Sequence, residues 1–370
     1  MAKPALMLPM GEGDWKEGSR LLFMKSCLPI LESLGWTIGA EIKGSSFDDW
    51  TRECILALKK FGGRITAHPP NTTAWDLGKL GHPIPDKLMT IAQQAPEFKK
   101  LGLEAITIHC APALSVDPPE DAGLERYNSP ISAEEMLEHI KRQIQPLVDV
   151  NAITGGILQI ENVDIINFRG GGHYVPTYLQ VQTGSWMDLL YLKKESGVQA
   201  TFDSEHHFCA GNLLYRRGRF MPIPTWGPDD YVNAREFRAA HRLAKIAGYY
   251  LMEGKPPITA QSVGWREFIS DLRPTLFHLG GAIRTEDDDG RIETHLPSFG
   301  YPLAKEALDF ELLWTMEHPE VIGCVIEVAG QLDPKKYSPT SPRPENDNDA
   351  KMTAYRTVIE AIERIQKGKN

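Results

Sequence analysis

Residues 157–161 read ILQIE, a short buried-strand run closed by a carboxylate, and residues 199–203 read QATFD, the same shape closed by another. Runs of this kind recur at 5–9 (ALMLP), 37–42 (TIGAEI), 64–68 (RITAH), 105–109 (AITIH), 275–279 (TLFHL) and 322–327 (IGCVIE), making eight in all. They are largely continuous rather than alternating, as parallel strands covered on both faces should be. Between them lie helical patterns near 15–34, 47–61, 86–100, 132–149, 184–196, 228–271 (more than one helix) and 302–317, with 350–367 last. Ser132 with Glu135 three residues on forms a capping box at the start of one of them. Eight strands alternating with helices predict an α/β fold, a (β/α)8 TIM barrel in a single domain. A doubly wound sheet needs no eighth strand and usually opens on a glycine-rich phosphate turn, which does not follow the first run here.

The chain has 370 residues, 42% of them apolar and 24% charged, a balance that supports a sizeable buried core. Its 40 basic and 49 acidic residues give a formal net charge of −9, which argues against coating nucleic acid by bulk charge. A local basic strip around an acidic, metal-filled centre stays compatible with that balance, because a bound metal cancels the carboxylates that hold it. The opening MAKPALMLPM has no signal-peptide pattern, and no run of about 18 apolar residues predicts a membrane span. Cys27, Cys54, Cys110, Cys209 and Cys324 fit neither a disulfide framework nor a CxxC zinc site, so a cytoplasmic location is expected. One segment, 333–349, is rich in Pro, Ser, Asn and charge and reads as a surface excursion.

In such a barrel the catalytic groups come from the C-terminal ends of several strands. Here the third run ends at His68, the fourth at His109, the fifth at Glu161 and the sixth at Asp203. The seventh carries His278 and the eighth ends at Glu327, with His206 and the Glu293–His295 pair close behind two of them. A lone histidine at a strand end is more often a hydrogen-bonded core residue than a ligand. Six successive strands ending this way bury a set of charges that is stable only if something positive fills the centre. Imidazole and carboxylate without thiolate suit Zn²⁺, Mn²⁺ or Fe²⁺. These nine residues exceed the roughly four that one tetrahedral ion takes, which leaves several ions, or one ion with substrate-binding histidines. His173, after a Gly-Gly-Gly run on the catalytic rim, is a candidate substrate contact; His82, His139, His207, His241 and His318 are weaker candidates.

The segments ITAHPP (65–70), IHCAP (108–112), IENVD (160–164), FDSEHHFCAGN (202–212), FHLGG (277–281), RIETHLPSFG (291–300) and VIEVAG (325–330) stand in one order. In that order they resemble the endonuclease IV branch of the xylose isomerase-like TIM barrels. The resemblance covers strands three to eight; residues 1–60 and 210–270 match only as architecture, the latter as an insertion. It implies one barrel domain over 1–370 with a C-terminal helix at about 350–367, and a site of up to three zinc ions. His68, His109 and Glu161 would hold the first ion, and Glu161, Asp203, His278 and Glu327 the second. His206, Glu293 and His295 would hold the third. The implied activity is DNA repair, the hydrolysis of a phosphodiester at an abasic site, or of a related phosphoester, by a metal-activated hydroxide. The chain departs from the family in having Glu at 293 where Asp is usual, and Pro69, Pro70, Asn71 and Thr72 where the family has residues that enter DNA. Its segment Leu214-Tyr-Arg216-Arg217-Gly-Arg219-Phe220 interleaves arginines with aromatics that suit phosphates or bases.

The same superfamily offers a second reading, a sugar or sugar-phosphate isomerase or epimerase with one Mn²⁺ or other divalent ion. Glu161, Asp203, His278 and Glu327 would hold it, Glu161 and Glu327 would move the proton beside a carbonyl, and His206 and Arg284 would grip the substrate. An acidic chain suits a small sugar, but this reading leaves His68, His109, Glu293 and His295 without a shared role. A metal-stabilised binding protein would explain the ligands but not a barrel mouth rich in acid–base groups. No membrane or protein partner is implied.

Overall fold

The computed structural model describes residues 2–74, 77, 83–110, 133–162, 166–169, 175–179, 186–207, 215–216, 219–220, 265–284, 292–296, 302–328 and 347–369. Eight parallel strands close into a barrel. They are β1 (Ala5–Met10), β2 (Thr37–Ile42), β3 (Arg64–Ala67), β4 (Leu103–His109), β5 (Leu158–Glu161), β8 (Gln199–Asp203), β11 (Leu276–Leu279) and β14 (Gly323–Ile326). Each neighbours the next in chain order, and β14 pairs with β1 to close the ring. All eight runs read from the sequence are barrel strands.

Helices cover the outside. They are α1 (Glu12–Glu17), α2 (Ser19–Ser33), α3 (Asp49–Lys59), α4 (Asp86–Leu101), α5 (Ala133–Ile153), α6 (Trp186–Ser196), α7 (Trp265–Leu272), α8 (Pro302–Glu317) and α9 (Asp347–Lys369). Where the sequence predicts one helix over 15–34 there are two, broken at Gly18, whose φ of 76° a glycine adopts without strain. The last helix begins at Asp347, inside the stretch read as an excursion, and Tyr355 on it donates from its buried hydroxyl to the Leu6 carbonyl at 3.0 Å. Ser132 and most of the 210–270 insertion lie outside the described residues. Among the described residues no helix is long and apolar enough to cross a membrane.

Among the described residues, three antiparallel hairpins add to the elements that the sequence predicts: β6 (Ile166–Arg169) with β7 (Val175–Leu179), β9 (Tyr215–Arg216) with β10 (Arg219–Phe220), and β12 (Gly281–Arg284) with β13 (Ile292–Leu296). They follow β5, β8 and β11 along the chain. Their segments, such as INFR, VPTYL and IETHL, are interrupted by polar residues or proline, so the continuous apolar run that marks the barrel strands is missing from them.

Alternate residues of each barrel strand face the interior. Ala5, Met7, Ala105, Leu276, Ile322 and Val325 pack there as a cluster of their own, apart from the larger core between strands and helices. Along the strands a polar chain follows. Thr107 and Thr201 hydroxyls meet at 2.9 Å, Thr201 donates to Gln159 Oε1 at 2.8 Å, and Gln159 Nε2 donates to Thr275 Oγ1 at 2.9 Å. One inward step further on these strands come His109, Asp203 and Glu161. The barrel is therefore filled below its catalytic end, and the titratable groups stand on that filling.

Gly39 belongs to the same interior set. A Cβ there would lie 2.6 Å from the Arg64 carbonyl oxygen and 2.7 Å from Met7 Cγ. Backbone cannot yield as a side-chain end can, so Gly39→Ala should lower unfolding stability by about 1–3 kcal/mol in chemical denaturation. A variant as stable as the parent would show slack that this packing denies.

Candidate metal centre

The barrel ladder runs one residue past several strands and places the site residues with backbone hydrogen bonds. His68 N donates to the Ile42 carbonyl (2.8 Å), Lys43 N to Met10 (3.0 Å) and Glu327 N to Leu279 (3.0 Å). His109 is in register with Glu161, and His278 with Asp203. Asp203 is held twice more. Asn162, just past β5, accepts from the Asp203 backbone N at 2.8 Å and donates to its carbonyl at 2.7 Å. Asp203 Oδ1 accepts from the His206 backbone N at 2.8 Å, capping the helical turn at 204–207 and leaving Oδ2 for the site.

Glu161 is the centre. Its Oε2 lies 3.0 Å from His68 Nε2 and 3.2 Å from His109 Nε2. Its Oε1 lies 2.9 Å from His278 Nδ1 and 3.8 Å from His206 Nε2. His278 Nδ1 is also 3.7 Å from Asp203 Oδ2 and 3.8 Å from Glu327 Oε1. Glu161, Asp203 and His278 are wholly buried, His68 and His109 nearly so, while His206 and Glu327 are partly exposed. Seven of the nine metal-ligand candidates are thus brought together.

The other candidates are reached only in part. Glu293 pairs across the β12–β13 hairpin with Ile283, and Arg284 with Ile292, directly after the strand that bears His278. The side chains of Glu293, His295, Arg284 and Arg216 lie outside the described residues, as do His173 and Arg217 entirely. Arg216 pairs in backbone with Arg219. Of the weaker histidines, His207 packs its ring on Phe202 and Phe268, and His318 stacks on Trp314, both away from the cluster. Burial pushes the Cys110 thiol up to about 12, so beside its ligand neighbour it stays a protonated, inert group.

Two residues that the strand-end reading passes over sit at the site. Glu41 Oε1 is 2.9 Å from His278 Nε2, and Glu41 Oε2 is 2.8 Å from Lys43 Nζ. Lys43 Nζ also donates to Glu327 Oε1 at 2.5 Å. Both lie on the inward register of the second strand, two and four residues beyond Gly39, so period 2 applied to TIGAEIKG would have found them.

These groups fit divalent metal. His68 Nδ1 faces the Pro69 carbonyl at 2.8 Å. A carbonyl only accepts, so Nδ1 carries a proton and Nε2 is the nitrogen turned to the Glu161 carboxylate. His109 Nε2, Glu161 Oε2 and Asp203 Oδ2 are buried with no aligned hydrogen-bond partner. Acceptors crowded on acceptors in a dry site call for a cation among them. The atoms form three overlapping donor groups, His68–Glu161–His278, His109–Glu161–His206 and Glu41–His278–Glu327, each within 4.8 Å. Oxygen and imidazole donors of this kind suit zinc, manganese or iron.

No protein-family model matches the chain, and no curated protein matches its sequence. Solved structures do resemble it, and they are xylose isomerase-like TIM barrel proteins of several activities. 3-Keto-D-glucoside 4-epimerase from E. coli is 13% identical, with a TM-score of 0.48 over 96% of this chain and 99% of that one. Endonuclease IV from Thermus thermophilus is 12% identical, with a TM-score of 0.45 over 96% and 99%. A xylose isomerase-like TIM barrel protein from Mycobacterium smegmatis in complex with magnesium is 12% identical, with a TM-score of 0.43 over 98% and 97%. At these values the fold assignment rests on the barrel's own strand order.

The protonation of the metal-free cluster has a measurable consequence. Burial pushes Asp203 up to about 7, against the pull of His206 and with the push of Glu161 and Glu327. Burial also opposes charge on His278, but Glu161, Glu41 and Glu327 outweigh it and hold the ring well above the usual imidazole range. A ligand must shed its proton to bind metal, so acid competes with the ion. Apparent Zn²⁺ affinity, measured by chelator competition, should therefore rise by about tenfold or more per pH unit up to pH 7. Affinity that is flat between pH 6 and 7 would contradict this assignment.

Proposed function

We propose that the chain is a metal-dependent phosphodiester hydrolase, with zinc as its metal and abasic DNA or a related phosphoester as its substrate. The observation that carries this reading is the division of Glu161: one oxygen faces His68 and His109, the other faces His278 and the Asp203–Glu327 side. A carboxylate with separate imidazole partners on each oxygen is suited to bridge two ions. A single ion at Asp203, His278 and Glu327 gives the His68 and His109 lone pairs no function.

Clustered divalent ions make hydroxide available near neutral pH and offset the charge of a transferring phosphoryl group. The chain's own residues supply the rest. His68 and His109 hold one side of Glu161, and Asp203, His278 and Glu327 hold the other. The filled barrel below excludes water, so electrostatic interactions in the cluster are strong. His206, Glu327 and Lys43 form the partly exposed upper edge, where an anionic substrate would meet the site. Lys43 stands at that edge with its charge shared between Glu41 and Glu327. The arginines of the β9–β10 hairpin are candidates to extend that strip along a nucleic-acid backbone.

The mononuclear isomerase or epimerase reading is favoured by one observation. Glu161, Asp203 and Glu327 all approach the single atom His278 Nδ1, a four-residue set able to hold one ion with a carboxylate on either side. His109→Ala separates the two readings. In the hydrolase it should cut nicking of abasic duplex DNA by about a hundredfold or more, as the loss of several kcal/mol of transition-state stabilisation implies. A parent protein that epimerises ketoses, leaves abasic DNA intact and tolerates His109→Ala would overturn the proposal.

A further inference from the structure

Behind the ligand cluster, on the side away from Asp203, lies a carboxylate that the proposed chemistry does not use. Glu41 is an inward residue of β2, paired in register with Pro9 and Thr66, and is wholly buried. Its two oxygens are engaged differently: Oε1 meets His278 Nε2 at 2.9 Å and Oε2 meets Lys43 Nζ at 2.8 Å. A carboxylate in this position is costly unless it is paired, and here an imidazole and an ammonium share it.

His278 has one nitrogen on each side. Nδ1 faces Glu161, Asp203 and Glu327, the metal-ligand candidates, and Nε2 faces Glu41. The two nitrogens of a ligating histidine are set by each other, because the group that accepts a proton from one decides that the other offers a lone pair. We infer that Glu41 is a positioning residue of the metal centre, accepting the Nε2–H of His278 so that Nδ1 is presented to the metal, with Lys43 anchoring Glu41 and tying it to Glu327.

His68 makes the comparison within the same site. Its Nδ1 is held by the Pro69 carbonyl, so it presents Nε2, the opposite nitrogen, and the group behind it is a neutral dipole rather than a carboxylate. A carboxylate behind the ring both fixes orientation and strengthens the imidazole as a donor, and loss of such a partner typically lowers metal affinity by about 10–100-fold. β2 thus acts on two ligands at once, His278 through Glu41 and Glu327 through Lys43.

The inference rests on the cluster being a metal centre, and the test separates the two. Metal-free parent and Glu41→Gln proteins are titrated with Zn²⁺ against a chromophoric chelator, and with Co²⁺ while its d–d absorption is recorded. Glu41→Gln keeps the side-chain volume, so the metal-free variant should melt within a few degrees of the parent. Its tightest Zn²⁺ affinity should nevertheless fall by about 10–100-fold, with an altered Co²⁺ spectrum. Unchanged affinity and spectrum would overturn the role of Glu41 and leave the metal centre standing, whereas a parent that binds no metal would overturn both. Should Glu41→Gln fail to fold, nitrogen NMR of the zinc-loaded parent decides. A protonated, exchange-protected Nε2 and an unprotonated Nδ1 on His278 support the inference, and the reverse tautomer overturns it.

Discussion

At the catalytic end of the barrel, one carboxylate stripped of water is surrounded by four imidazole rings. Glu161 meets His68 and His109 through one oxygen and His278 and His206 through the other, with Asp203 and Glu327 close behind. Burial alone would neutralise a carboxyl here, yet the positive charge of the His278 ring beside it outweighs that cost and holds Glu161 well below the usual carboxylate range. Burial pushes His109 down to about 4, so that ring is neutral and offers a lone pair at physiological pH. The cluster holds together as a set of mutual compensations in which removing one member leaves another unpaired.

The rest of the fold makes that set rigid. Eight parallel strands bring their last inward residues to one end, and the packed interior from Met7 and Val325 up through Thr107, Thr201 and Gln159 leaves no slack beneath them. Gly39 is the clearest sign of how tight this filling is. Asn162 and the capping interaction of Asp203 with His206 fix Asp203, whose strand runs directly into a helical turn. Donor atoms held at this precision are ready for metal without reorganisation of the backbone.

How much of this can be read from the sequence differs from element to element. Each barrel strand is a short continuous apolar run, and two-faced burial dictates that pattern, so all eight are legible. The helix break at Gly18 is not, because a glycine inside an otherwise periodic stretch is compatible with a continuous helix. The strand-end residues stand out because polar groups closing apolar runs are conspicuous. Glu41 is hidden by its setting in TIGAEIKG: it comes one residue before the apparent end of its run, and the last apolar residue, Ile42, draws attention from it. Lys43 reads as an ordinary charge after a strand. Period 2 counted from Gly39 turns both inward, but that Gly39 itself faces the interior shows only in its packing against Met7 and the Arg64 carbonyl, which leaves no mark in local sequence. Asn162 is in the same position, since its partners are backbone atoms of residue 203, forty-one residues away.

The central claim is that Glu161 bridges two ions, and anomalous diffraction at the zinc edge tests it most directly. Crystals of the zinc-loaded protein should show at least two anomalous peaks flanking this side chain, each about 2.0–2.2 Å from one of its oxygens. One peak should lie among His68, His109 and Oε2, and the other among Asp203, His278, Glu327 and Oε1. A single peak on the Asp203 side, with His68 and His109 free of metal at saturating zinc, would contradict the account.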